Sequence, residues 1–197
     1  VNRQAPMKAI LEKVFGIDRR RDLPEFAGQT FKSWFKKHEN DYEIEGARQV
    51  VLLVDLFTNY HDPEIAIAAC NVLRALGYSI IMPGIWPTGR PQLSKGLLDE
   101  AKQICDENIQ RLYPFADLGV PIVGLEPSEI LTLRDEYTDL CNDGDLKKAE
   151  TIADNSFLWE EFLVSELADS DQPIDIGNGK KVQLHGHCHT KALIGND

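Results

Sequence analysis

The chain has 197 residues, 43% apolar and 27% charged, the make-up of a globular domain able to build its own core. No apolar run approaches the ~20 residues a membrane helix needs. The formal charge of -11 argues against nucleic acid as a partner, because that affinity rests on Lys and Arg neutralising phosphates.

The start, Val1-Asn2-Arg3-Gln4, reads neither as an initiator methionine nor as a signal peptide. Met7, Ile10, Leu11, Val14 and Phe15 recur at helical spacing, with Gly16 as a stop. A short helix is expected from Thr30, with Phe31, Trp34 and Phe35 on one face, and Lys36 to Gly46 reads as a polar linker. Residues 1–46 thus form a helical extension ahead of the repeating body, 47–197.

Val50 to Val54 is a continuous apolar run, the pattern of a strand buried on both faces. Asp62-Pro63-Glu64 then opens a helix with a capping Asp and Pro at its first position, and Gly77 closes it. Tyr78 to Met82 is a second strand, followed by a Pro- and Gly-rich loop from Pro83 to Pro91. Ser94 is expected to cap a long helix through Leu112. Pro121 to Leu125 is a third strand, and Ser128 is expected to cap a helix through Leu140. Helical stretches at Leu146–Ile152 and Phe157–Leu167 follow, then a turn at Asn178-Gly179 and a last strand, Val182-Gln183-Leu184. This alternation predicts an α/β fold, a Rossmann-like or flavodoxin-like parallel sheet with helices on both faces and the N-terminal helical extension. Neither GxGxxG nor GxxxxGK[ST] is present, so no nucleotide fingerprint supports the fold.

Four segments carry chemistry, each directly after an expected strand: Phe57 to His61, Trp86 to Pro91, Glu126 to Glu129, and His185 to His189. Open parallel sheets bind ligands outside the carboxyl ends of their strands, so one rule gathers all four at one edge. His185-Gly186-His187-Cys188-His189 holds three of the five histidines, and imidazole with thiolate suits zinc, iron or copper. If extended, it turns His185, His187 and His189 to one face and Cys188 to the other. The bland alternative is histidines that bond loop carbonyls. Gly89 permits close backbone approach, and Arg90 with Lys95 offers positive charge beside a helix start, an anion site against an ordinary loop. Glu126 and Glu129 either favour the helix dipole or face the crevice. Cys70, Cys105, Cys141 and Cys188 include no CxxC pair. A disulfide framework is not expected, and a reducing, cytoplasmic setting is the default.

Longer motifs surround these segments. They are Val50 to Tyr60 with His61-Asp62-Pro63-Glu64, Gly89-Arg90-Pro91 with Ser94-Lys95-Gly96-Leu97-Leu98-Asp99, Glu126-Pro127-Ser128 with Leu133-Arg134-Asp135-Glu136-Tyr137, and the histidine cluster with Lys191-Ala192. Together they resemble the cysteine-rich "CCG" domain. That domain occurs in the iron–sulfur subunits of glycolate oxidase and anaerobic glycerol-3-phosphate dehydrogenase, in heterodisulfide reductase, and at the C-terminal end of large FAD-linked oxidases.

The resemblance implies a piece of a flavin-linked iron–sulfur oxidoreductase, an electron-relay or docking module for oxidation of a 2-hydroxy acid or similar substrate. FAD and [4Fe–4S] would belong to the parent protein, with flavin and ferredoxin-like domains as partners and no cofactor in this piece. It matches Cys188 to the opening cysteine of a second repeat that would continue beyond Asp197. The match breaks at the ligands: the Cys-Cys-Gly position reads Pro87-Thr88-Gly89, and the Cys-Pro-Ser-Cys position reads Glu126-Pro127-Ser128-Glu129. Clusters need thiolates, so the first repeat is expected to hold none. Cys188, Gly89 and Arg90 remain the cofactor-site candidates, and Cys188, His185, His187 and His189 the metal ligands. The competing readings are a zinc-binding α/β domain and a cluster-free scaffold.

Overall fold

The computed structural model describes residues 4–168, 181, 183 and 185–195. The expected turn at Asn178-Gly179 lies outside the described residues, as do Val182 and Leu184 of the expected last strand.

Helices α1 (Ala5–Phe15) and α2 (Phe31–His38) precede the body, and Gly16 ends α1 in the left-handed conformation that glycine adopts freely. The body then runs β1 (Arg48–Leu53), α3 (Leu56–Tyr60), α4 (Pro63–Ala75), β2 (Tyr78–Ile81), α5 (Arg90–Ser94), α6 (Leu98–Ala116) and β3 (Ile122–Gly124). After β3 come α7 (Pro127–Arg134), α8 (Glu136–Leu140), α9 (Leu146–Asp154), β4 (Ser156–Leu158), α10 (Trp159–Ala168) and α11 (Cys188–Leu193).

The four strands are parallel, in the order β2-β1-β3-β4. The chain steps outward from β1 to β2 through α4, then returns across β1 to β3 through α6. Right-handed crossovers in opposite directions put their helices on opposite faces. The alternation along β1 shows the result. Val50, Leu52 and Val54 pack with Ala66, Cys70 and Leu73 of α4, whereas Val51 and Leu53 pack with Cys105, Ile109 and Leu112 of α6. Each face is thus a separate core, and the strand is buried on both sides, as its apolar run requires. Phe31, Phe35 and Tyr42 join the α4-side core, so α2 packs onto the body, whereas α1 has no buried residue. The turn after α2 is held by Ile80 N, which donates to Tyr42 O, and by the Tyr42 hydroxyl, which donates to Asn71 Oδ1.

Several elements differ in detail from the sequence reading. Residues 156–158 form a strand, so the expected helix starts at Trp159 rather than Phe157. Three residues are too few for a period-two signal, and parallel pairing with β3 fixes them. Ser94 ends α5 instead of capping the long helix, because Gly96, at φ +72°, breaks the chain before Leu98. Asp62 makes no side-chain cap to α4. Glu126, not Ser128, caps α7 by accepting from Glu129 N, and that helix breaks at Asp135 before α8. The order of strands reverses between β1 and β3, so the crevice outside their carboxyl ends is the switch point of the sheet.

Candidate functional site

Three segments meet at that switch point. Asp55 and α3 follow β1, Pro91 lies in the first turn of α5, and Leu125 to Glu129 follow β3; together they line an open groove of about 750 Å³. Asp55 caps α3 through Oδ1, which accepts from Thr58 N at 2.9 Å. Asp55 is 7% exposed, and its Oδ2 has no hydrogen-bond partner among the described residues.

The Thr88 hydroxyl donates to Glu129 Oε2, joining the loop after β2 to the first turn of α7. Burial raises the Glu129 carboxyl above its ordinary range; the negative charges of Glu126 and Asp55 add to this, and the Thr88 hydrogen bond opposes it. Thr88 is held from behind by a buried pair. The Tyr137 hydroxyl donates to Thr88 O at 2.9 Å, and Asn108 Nδ2 donates both to that hydroxyl at 2.8 Å and to Pro87 O at 2.9 Å. Gly89 precedes α5 at φ +96°, a conformation that favours glycine.

The fourth segment sits beside these three. Cys188 and His189 form the first turn of α11, which packs against α7, and His187 Nδ1 accepts from His189 N at 3.3 Å as the cap. The expected extended segment is therefore corrected. The cap starts a helix at Cys188, so Cys188 is not turned away from its neighbours. The ligand atoms of His187, Cys188 and His189 all lie within 4.8 Å of one another, while His185 is exposed and outside this group. Arg90 Nη1 lies 3.4 Å from His189 Nε2, and His187 Nε2 lies 3.7 Å from Glu126 Oε1. Arg90 is also paired with the Glu136 carboxylate, so its charge is already met within the chain. His61 bonds Glu25 O through Nδ1 at 2.6 Å.

The other thiols lie elsewhere. Cys70 and Cys105 are fully buried in the two cores, and burial pushes each thiol up to about 12. Cys141 is half-buried, and its Sγ donates to Thr138 O. Among the described residues the site thus offers one thiol, Cys188, and a Thr–Glu hydrogen bond occupies the positions where the resemblance puts cysteines. Residues of this kind do not fit a four-thiolate cluster.

Sequence reasoning missed Asp55, Asn108, Glu136 and Tyr137 as parts of the site. Asp55 had a signal, an acid directly after a doubly buried strand and three residues before a capped Thr. The other three sit inside helical patterns and show their role only through tertiary contacts.

No family model and no solved structure matches the chain. The chain is 30% identical over 142 residues, 72% of its length and 13% of the other protein's, to D-2-hydroxyglutarate dehydrogenase of Escherichia coli K12. It is 26% identical over 179 residues to the D-2-hydroxyglutarate dehydrogenase of Pantoea ananatis, covering 85% of this chain and 16% of that protein. One subunit of the anaerobic glycerol-3-phosphate dehydrogenase of Escherichia coli K12 is 25% identical over 191 residues, 95% of this chain and 47% of that subunit. The chain therefore spans less than half the length of these curated relatives, and it is homologous to a segment of proteins named as dehydrogenases.

Proposed function

We propose that this chain is a docking and electron-relay module of a flavin-linked oxidoreductase acting on a 2-hydroxy acid or a similar substrate, with residues 47–197 as its CCG-type body. The observation that carries the reading is the convergence of post-strand segments on the histidines that flank Cys188: Arg90 meets His189, and Glu126 faces His187. FAD and [4Fe–4S] centres belong to flavin and ferredoxin-like domains outside this chain. Here the first repeat contributes shape and charge, and Cys188, the opening cysteine of the second repeat, is the one thiol that the described residues bring to the site, placed for a centre completed by other residues. Four free cysteines support a reducing, cytoplasmic setting. No described helix is long and apolar enough to cross a membrane.

One observation favours a second reading. His187, Cys188 and His189 bring two imidazoles and a thiol close enough to surround one zinc ion, whose bonds are ~2.0–2.3 Å. Metal and sulfide analysis of the anaerobically purified chain, with and without Cys188→Ser, tests both. The docking reading expects neither a stoichiometric cluster nor stoichiometric zinc in the isolated chain. Zinc lost on Cys188→Ser would establish the second reading, and a full cluster would overturn both.

A further inference from the structure

The switch-point groove has a floor of Asp55, Glu126 and Glu129 and a wall of Phe57, Tyr60 and Ile65, and these apolar side chains are half or nearly half exposed. We propose that this groove receives an arginine side chain from an apolar-flanked, basic segment of a partner protein. The inference deepens the docking reading, but it does not involve Cys188.

The buried Oδ2 of Asp55 is the first argument. Asp55 lines the groove while this oxygen has no donor among the described residues, and a charge-assisted hydrogen bond would meet that need once the side chain turns toward the groove. Sign comes next. Glu126 and Glu129 add negative charge, and the nearby cation Arg90 is already held by Glu136, so an anionic hydroxy acid is repelled here and a cation is drawn in. Spacing then selects the kind of cation. The group of metal-ligating side chains with donors within 4.8 Å of one another is His187, Cys188 and His189; among the described residues the three floor carboxylates do not form such a group. A metal ion needs such a close group of ligands, whereas a planar guanidinium with five donors can bridge two carboxylates without it. Glu129 itself is raised by burial and by its acidic neighbours, a condition that an arriving cation reverses.

The wall argues for a polypeptide rather than a free amine. Phe57, Tyr60 and Ile65 stand at 52%, 43% and 51% exposure beside the floor, a patch that apolar flanks of an arginine would cover. The aromatic rings add cation–π attraction.

The experiment is a titration of the isotope-labelled chain with an end-capped leucyl-arginyl-phenylalanine peptide, followed by backbone amide NMR. Controls are the citrulline version of the peptide, agmatine and magnesium. The expected result is shifts confined to the amides of residues 55–62 and 125–129, weakened about tenfold with citrulline. Asp55→Asn should weaken binding by a similar factor. Asn caps a helix as well as Asp does, so α3 stays in place, and unchanged amide signals from the sheet verify it. Equal binding of the citrulline peptide, agmatine as strong as the peptide, the same shifts with magnesium, or no shift up to about 10 mM peptide would each overturn the proposal.

Discussion

The Thr88 hydroxyl donates to the Glu129 carboxylate at the positions where the resemblance places cluster cysteines. A polar contact between two crossover ends stands there in place of thiols. Thr88→Val keeps the side-chain shape but takes a donor from a half-buried carboxylate, and it should destabilise the chain by about 1 kcal/mol at neutral pH. Glu129 sits above its ordinary range because of burial, so the proton it binds stabilises the fold fully below the unfolded carboxyl pKa. That contribution is lost as pH rises through the folded value. Removing the Thr88 donor raises the folded value further and carries the loss to higher pH. Urea unfolding from pH 4 to 8 should show the variant's deficit growing as pH rises.

Tyr137 is fully buried, and its hydroxyl links Asn108 to the Thr88 carbonyl. Tyr137→Phe removes both bonds while filling the same volume. It should cost about 1–3 kcal/mol and speed amide exchange in residues 86–90 more than in β1. Equal effects on both regions would mean the tyrosine only fills the core.

A methyl group on Gly124 would run into Ile130, with Cγ1 at 2.9 Å and Cβ closer still. Gly124 ends β3 where α7 turns back across it. Gly124→Ala should therefore destabilise by about 1–3 kcal/mol through overpacking, read from the denaturant midpoint.

Thiol chemistry separates the cysteines. Cys70 and Cys105 are buried and pushed up to about 12, whereas Cys188 is exposed. Iodoacetamide at pH 8, followed by mass spectrometry, should label Cys188 at least about a hundredfold faster than either core cysteine. Earlier labelling of Cys70 or Cys105 would contradict the placement of these cores.

Much of this architecture is legible in the chain because β1 announces itself. Five consecutive apolar residues from Val50 can only be buried on both faces, and the parallel α/β fold follows from that and from the alternation with helices such as the one that Asp62-Pro63-Glu64 opens. β4 is not legible, because Ser156–Leu158 runs into the apolar pattern of α10 and is defined by pairing alone. The site divides the same way. Its segments were visible as odd residues after strands, and Arg90, Glu126, His187 and His189 do meet. The pairing of Thr88 with Glu129, and the support from Asn108 and Tyr137, join residues 21 to 49 positions apart, and no local pattern encodes them.

The most direct test of the relay role uses the full-length protein and stopped-flow absorbance at the flavin bands. If the proposed function holds, Cys188→Ser should leave flavin reduction by a 2-hydroxy acid unchanged and slow electron transfer onward to the acceptor by at least about tenfold, ~1.4 kcal/mol of barrier. Unchanged rates for both steps would contradict the account.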